Sequence, residues 1–170
     1  MRPLSGIAAA AVALALVAPE AAASEGERAF SVSLNYGHFE LDEDIAPDGG
    51  VIGFDFERGL SDAISLRASA GGGVYYEDGM AYSGHAVLGF TYLFDVLKYV
   101  PYANLGVGAI VVNGSGFDTT VEPLIEIGFG LDILQDREFS WGFQARYETY
   151  TNKTRFFTVG MRATWRWGFF

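Results

Sequence analysis

Along residues 155–170, RFFTVGMRATWRWGFF, hydrophobic and polar residues alternate one by one. Phe157, Val159, Met161, Ala163, Trp165, Trp167 and Phe169 share one face, and Thr158, Gly160, Arg162, Thr164, Arg166 and Gly168 share the other. A period of two is that of a strand. The same alternation recurs in seven earlier segments, at 30–36, 52–56, 64–76, 82–94, 103–111, 125–133 and 139–147, so the pattern predicts eight strands. Their connectors also alternate. Short turns are expected at 58–62, 95–99 and 134–138, longer loops at 40–50 and 113–120, and brief links near EDGM (77–80) and TNKT (151–154).

The residues opposite the apolar face decide what that face touches. In a water-soluble sandwich the outward face carries Lys and Glu freely. Here the polar face is mostly Gly, Ser, Thr and Asn with isolated charges, and lysine occurs only at Lys98 and Lys153, both in connectors. Such a face suits a crowded, hydrated lumen, and the apolar face then meets lipid. The outward positions from Phe157 to Phe169 would extend about 40 Å along the strand, or about 30 Å in height at a tilt near 40°, enough to cover a hydrocarbon layer. Strands that span lipid must close on themselves, because an open sheet edge cannot be satisfied there. The expected fold is therefore an all-β, eight-stranded antiparallel transmembrane β-barrel over residues 24–170.

The N-terminus adds a compartment. Arg2 precedes an apolar run from Ile7 to Ala18, followed by Pro19, Glu20 and the small residues Ala21, Ala22 and Ala23. This is the pattern of a secretory signal peptide over residues 1–23, with cleavage expected between Ala23 and Ser24. The chain has no cysteine, which excludes disulfides, thiol catalysis and Cys-based metal sites, and its net charge of −10 argues against a nucleic-acid partner.

The aromatic residues are expected to form two girdles, where amphipathic rings sit at the membrane interfaces. Tyr36, Tyr76, Tyr82 and Phe157 would mark the outer rim. Tyr92, Phe94, Phe139, Trp141, Trp165, Trp167 and Phe169 would mark the periplasmic rim. Pro101 and Pro123 are expected at strand entrances, where a missing N–H donor costs least.

With these features in place, GLSDAISLRASAGGG (59–73), PYANLGVGA (101–109) and the terminal aromatic residues make the chain resemble the small outer-membrane β-barrel domains of OmpA, OmpX and OmpW type. The resemblance spans essentially the whole mature chain, and its motifs mark architecture more than activity. It implies residence in the Gram-negative outer membrane. It also implies a barrel assembly machinery that reads the last strand as an address, for which Phe169 and Phe170 are the candidate signal. Phe169 keeps the lipid-facing register and Phe170 is one residue off it.

Candidate lumen charges are Asp55, Glu57, Arg67, Glu77, His85, Glu122, Glu126, Asp132, Arg146, Glu148, Arg162 and Arg166. Counting back from the turns places Asp55 opposite Arg67 and Glu126 close to Arg146. A plug of paired side chains is the favoured reading, since eight strands leave an interior just wide enough for side chains. A gated ion path is the rival. Ser83, His85, Glu77 and Glu122 have the residue types of a hydrolytic set, but their face is luminal, which argues against a lipid hydrolase. His38, beside Glu40, lies outward near the rim with no serine evident. The acidic loop of Glu40, Asp42, Glu43, Asp44 and Asp48 reads as solvated carboxylates rather than a calcium site. The expectation is a monomeric, non-enzymatic, cofactor-free barrel with a structural or surface-interaction role. Its partners would be outer-membrane lipid, lipopolysaccharide and the assembly machinery. The alternative is OmpW-like passage of small hydrophobic compounds, which would require an apolar interior funnel where a charged one is deduced.

Overall fold

A computed structural model describes residues 26–40, 48–76, 79–94, 98–114, 117–150 and 155–168. The signal-peptide segment with its Ala23–Ser24 junction, Glu77, Asp42, Glu43, Asp44, Phe169 and Phe170 lie outside the described residues.

Eight antiparallel strands follow one another around a single closed sheet: β1 (Arg28–Glu40), β2 (Asp48–Gly59), β3 (Ile64–Tyr76), β4 (Met80–Leu93), β5 (Tyr99–Gly114), β6 (Phe117–Leu134), β7 (Phe139–Tyr150) and β8 (Arg155–Trp167). Each strand pairs with its sequence neighbour, and β1 closes on β8 through a continuous register from Arg28↔Trp167 to Glu40↔Arg155. Closure leaves no unpaired edge, which is what permits so much apolar surface to face outward. Burial alternates accordingly, and Leu34, Leu88, Val107, Val121 and Phe129 are all more than 60% exposed.

The barrel has a turn end and a loop end. At the turn end, Ser61 Oγ accepts a hydrogen bond from the Ile64 N–H at 3.2 Å. Asp136 Oδ1 accepts from the N–H groups of Glu138 and Phe139, both at 2.8 Å. These short side chains satisfy backbone donors that the ladder leaves over, so the chain reverses within four residues.

Two connectors are tighter than the sequence reading had them. Asp48, Gly49 and Gly50 belong to β2, and residues 113–114 and 117–120 are strand rather than loop. Here Thr120 pairs with Val112, the register shifts between Val112 and Gly114, and Asn113 Nδ2 donates to Thr119 Oγ1 at 2.5 Å. Pro123 is likewise not at a strand entrance but inside β6, opposite Ala109 on β5.

Candidate functional site

The inward positions of the eight strands meet in a narrow lumen, where several large side chains lie over inward glycines of the same or the paired strand. A Cβ on Gly130 would run into the Tyr102 ring, one on Gly73 into the Tyr75 ring, and one on Gly71 would stand 2.7 Å from His85 Nε2. Glycine weakens a strand, so its recurrence here reflects volume.

Charges fill the turn end and the middle. At the turn end, Arg162 donates to Asp132 through Nε at 3.0 Å and Nη2 at 2.9 Å, and Arg166 Nη2 reaches the same carboxylate at 2.9 Å. Arg162 also stands 3.5 Å from Glu57 and lies over the Tyr102 ring, 4.1 Å from its centroid. In the middle, Arg67 Nε donates to Asp55 Oδ1 at 2.9 Å and its Nη1 to Glu126 Oε1 at 2.5 Å. Arg146 Nη2 donates to Asp55 Oδ2 at 2.5 Å and to Gln144 Oε1 at 3.0 Å. These groups are almost wholly removed from solvent, so each carboxylate needs its guanidinium neighbours.

Both expected neighbour relations are diagonal rather than direct. Asp55 is opposite Ser69, and Arg67 is opposite Glu57, so the Asp55–Arg67 contact is diagonal. Glu126 is opposite Glu148 and Arg146 opposite Gly128. Glu126 receives its hydrogen bond from Arg67, while Arg146 bonds Asp55. Counting along one hairpin misses this, because an arginine in a narrow barrel spans the lumen as easily as it reaches its own neighbour strand.

The expectation of a charged interior is corrected at the loop end. There Val51, Tyr75, Ala81, Ile110, Val112, Leu124 and Phe156 form a buried apolar cluster together with Val87. Tyr75 and Phe156 meet edge to face, with ring centroids 5.7 Å apart and planes at 77°. The parity that supplied the lumen charges also supplied these residues. The polar reading passed over them because their neighbours on the same face are Gly, Ser and Thr.

His85 is buried between the two zones, and neither ring nitrogen is hydrogen-bonded to the protein. Ser83 bonds the Tyr75 hydroxyl at 3.1 Å, not His85. Glu122 is opposite Ile110, itself opposite His85, so two strand spacings separate acid and imidazole.

On the outer wall, Tyr36, Tyr76, Tyr82 and Phe157 are exposed toward the loop end. Phe94, Trp165 and Trp167 are exposed toward the turn end. Tyr92 packs on Phe94 at 4.7 Å, Phe139 on Trp165 at 5.5 Å and Trp141 on Phe143 at 5.7 Å. Among the described residues, outward charges occur only near the ends of the strands. Arg28 and Arg58 sit directly opposite each other at the turn end. At the loop end His38 pairs with Asp48, Nδ1 to Oδ1 at 2.7 Å, and Arg155 with Glu40 at 3.8 Å. Tyr36 donates its hydroxyl to the same Asp48 oxygen, and this bond, followed by that of His38, holds the Asp48 carboxyl below its ordinary value.

No family model and no curated protein matches the chain. Solved structures do. The attachment invasion locus protein Ail of Yersinia pestis superposes with a TM-score of 0.64 at 17% identity, covering 85% of this chain and 100% of that one. Neisserial surface protein A superposes at 0.72 with 9% identity, covering 83% and 99%. The outer membrane enzyme PagL does so at 0.58 with 14% identity, covering 79% and 97%. The likeness is one of architecture: this chain has the closed eight-stranded fold of the small outer-membrane barrels.

Proposed function

We propose that the protein is a small integral barrel of the bacterial outer membrane with a closed lumen, serving the envelope as a structural or surface-interaction protein. The observation that carries this reading is the spacing of the outward charges. Ten residues separate Arg28 from His38 on β1, and Arg58 from Asp48 on β2. At roughly 3.3 Å per residue and a tilt near 40°, the two charged rows stand about 25 Å apart in height, the thickness of an outer-membrane apolar band. Between them the wall of these two strands is Phe30, Val32, Leu34 and Tyr36 on β1 and Gly50, Ile52, Phe54 and Phe56 on β2. The turn end is then periplasmic. Export on a leader ending at Ala23, and recognition of Phe169 and Phe170 by the assembly machinery, belong to the same reading.

The interior supports closure over conduction or turnover. The charges are engaged with one another, and the loop end is packed with apolar side chains rather than open as a funnel for hydrophobic solutes. The outer-membrane enzyme among the structural neighbours makes the outward cluster of Tyr36, His38 and Asp48 worth weighing. Among the described residues His38 is bonded to Asp48, and no serine or threonine hydroxyl bonds it. A general base without a positioned nucleophile makes no acyl-transfer site. Planar-bilayer recording tests the proposal: purified barrel should insert and pass no steady current, and reproducible unitary conductance would overturn the closed lumen.

A further inference from the structure

We infer that Arg28 and Arg58 form a binding site for the phosphate of an anionic phospholipid in the leaflet at the turn end, an inference that rests on the membrane reading above. The two arginines are direct cross-strand partners on the outward face of β1 and β2, and both are exposed. Like charges placed opposite each other on a sheet repel, so the pair costs stability unless an anion lies between them. The protein supplies none among the described residues. Glu27, next to Arg28 in sequence, stands 3.7 Å from Arg166, and Glu57, next to Arg58, stands 3.5 Å from Arg162 on the lumen side. Guanidinium groups on two directly paired residues can both reach one phosphate, which takes parallel N–H···O bonds.

The wall beside the pair is shaped for the rest of a lipid. One step toward the loop end, the same two strands present Phe30 opposite Phe56, and one step further Val32 opposite Phe54. Phe30 stacks on Phe54 with centroids 6.4 Å apart, and Trp167, the partner of Arg28 on β8, stands 6.4 Å from Phe56. A headgroup held by the arginines would lay its acyl chains along this aromatic surface. That continuity selects a phospholipid over free phosphate. The chain as a whole carries a net charge of −10 and repels anionic lipid, so any preference for such lipid at this place must be local.

Trp167 serves as the reporter. With Trp141 and Trp165 replaced by Phe it is the single tryptophan of the chain, which has three. The barrel is reconstituted into phosphatidylcholine vesicles containing either brominated phosphatidylglycerol or brominated phosphatidylcholine, and bromine quenching of Trp167 is compared. Phosphatidylglycerol should quench more strongly at equal mole fraction. Arg28→Gln and Arg58→Gln should each weaken that preference about fivefold, and the double variant should abolish it. Equal quenching by the two lipids in the protein with both arginines overturns the site, as does a preference that survives the double substitution. No quenching by either lipid would instead overturn the membrane reading. A heat-dependent shift of mobility in SDS gels shows that each variant is folded.

Discussion

Arg146 and Asp55 are 91 residues apart in the chain and meet across the lumen, Nη2 to Oδ2 at 2.5 Å. Arg67 holds the other oxygen of the same carboxylate at 2.9 Å, so Asp55 has two guanidinium partners. Glu126 takes its hydrogen bond from Arg67. Removing Arg67 therefore harms Glu126 more than Asp55. Arg67→Ala should cost about 3–5 kcal/mol in urea unfolding from vesicles, because a buried carboxylate loses its bonded cation. Adding Glu126→Gln should recover part of that loss, and adding Asp55→Asn should recover less. Additive losses for Arg67→Ala with Glu126→Gln would show that the two residues are not coupled.

The interior and exterior glycines should answer oppositely to the same substitution. At Gly130 a new Cβ meets the Tyr102 ring, whose displacement would disturb its stacking under Arg162. At Gly50, on the outer wall, it meets nothing within 4 Å. Gly130→Ala should cost about 1–3 kcal/mol by overpacking. Gly50→Ala should be neutral or stabilising by about 0.4–1 kcal/mol, because Ala restricts the unfolded chain. Equal effects at the two sites, read as unfolding midpoints, would mean that lumen volume does not set glycine placement.

Much of the barrel was legible in the chain because strand parity is a local property. Once Asp55 is assigned inward and Phe54 outward, the rest of β2 follows, and the same step works in every strand. The side-chain partners were less legible, because they depend on how far the closed sheet is staggered. Arg146 meets Asp55 only after β7 has been brought round to face β2, and no hairpin count contains that distance. The apolar loop end was missed for a different reason. Tyr75, Ile110 and Phe156 sit on the parity judged polar, and a face was judged by its majority rather than position by position. Pro123 was misplaced because a proline reads as a strand boundary, whereas β6 runs on through it opposite Ala109 of β5.

Asp48 offers a titration test at the loop-end rim. Its carboxyl is lowered chiefly by the Tyr36 hydroxyl and then by His38. A group lowered on folding stabilises the fold above its unfolded value, and that contribution is lost as the pH falls through the lower folded value. The NMR titration midpoint of Asp48 should therefore lie below the ordinary 3.8, and Tyr36→Phe should move it upward. Any stability difference between the native chain and Asp48→Asn should be present at neutral pH and fade only in acid below that range. An unmoved midpoint in Tyr36→Phe would remove the hydroxyl as the cause.

The last prediction concerns where the lumen is sealed. The charged zone is held by hydrogen bonds that water can replace. The loop end is closed by apolar side chains that have no use for water, with Phe156 fully buried and Tyr75 only 1% exposed. A hydrophobic constriction excludes ions by dewetting even when it is no narrower than its surroundings. Tyr75 and Phe156 should therefore be the seal, and the ion-paired zone beneath them a second obstacle. Phe156→Ala should cost about 3–5 kcal/mol in stability and leave the barrel folded but leaky, with Tyr75→Ala/Phe156→Ala passing the larger current in planar bilayers. Phe156→Leu, which keeps the site apolar, should stay closed. Arg67→Met/Glu126→Leu, with the aromatic pair intact, should stay closed as well. A silent Tyr75→Ala/Phe156→Ala barrel of proven insertion would place the seal in the ion-paired zone instead, and conductance by Arg67→Met/Glu126→Leu would say the same.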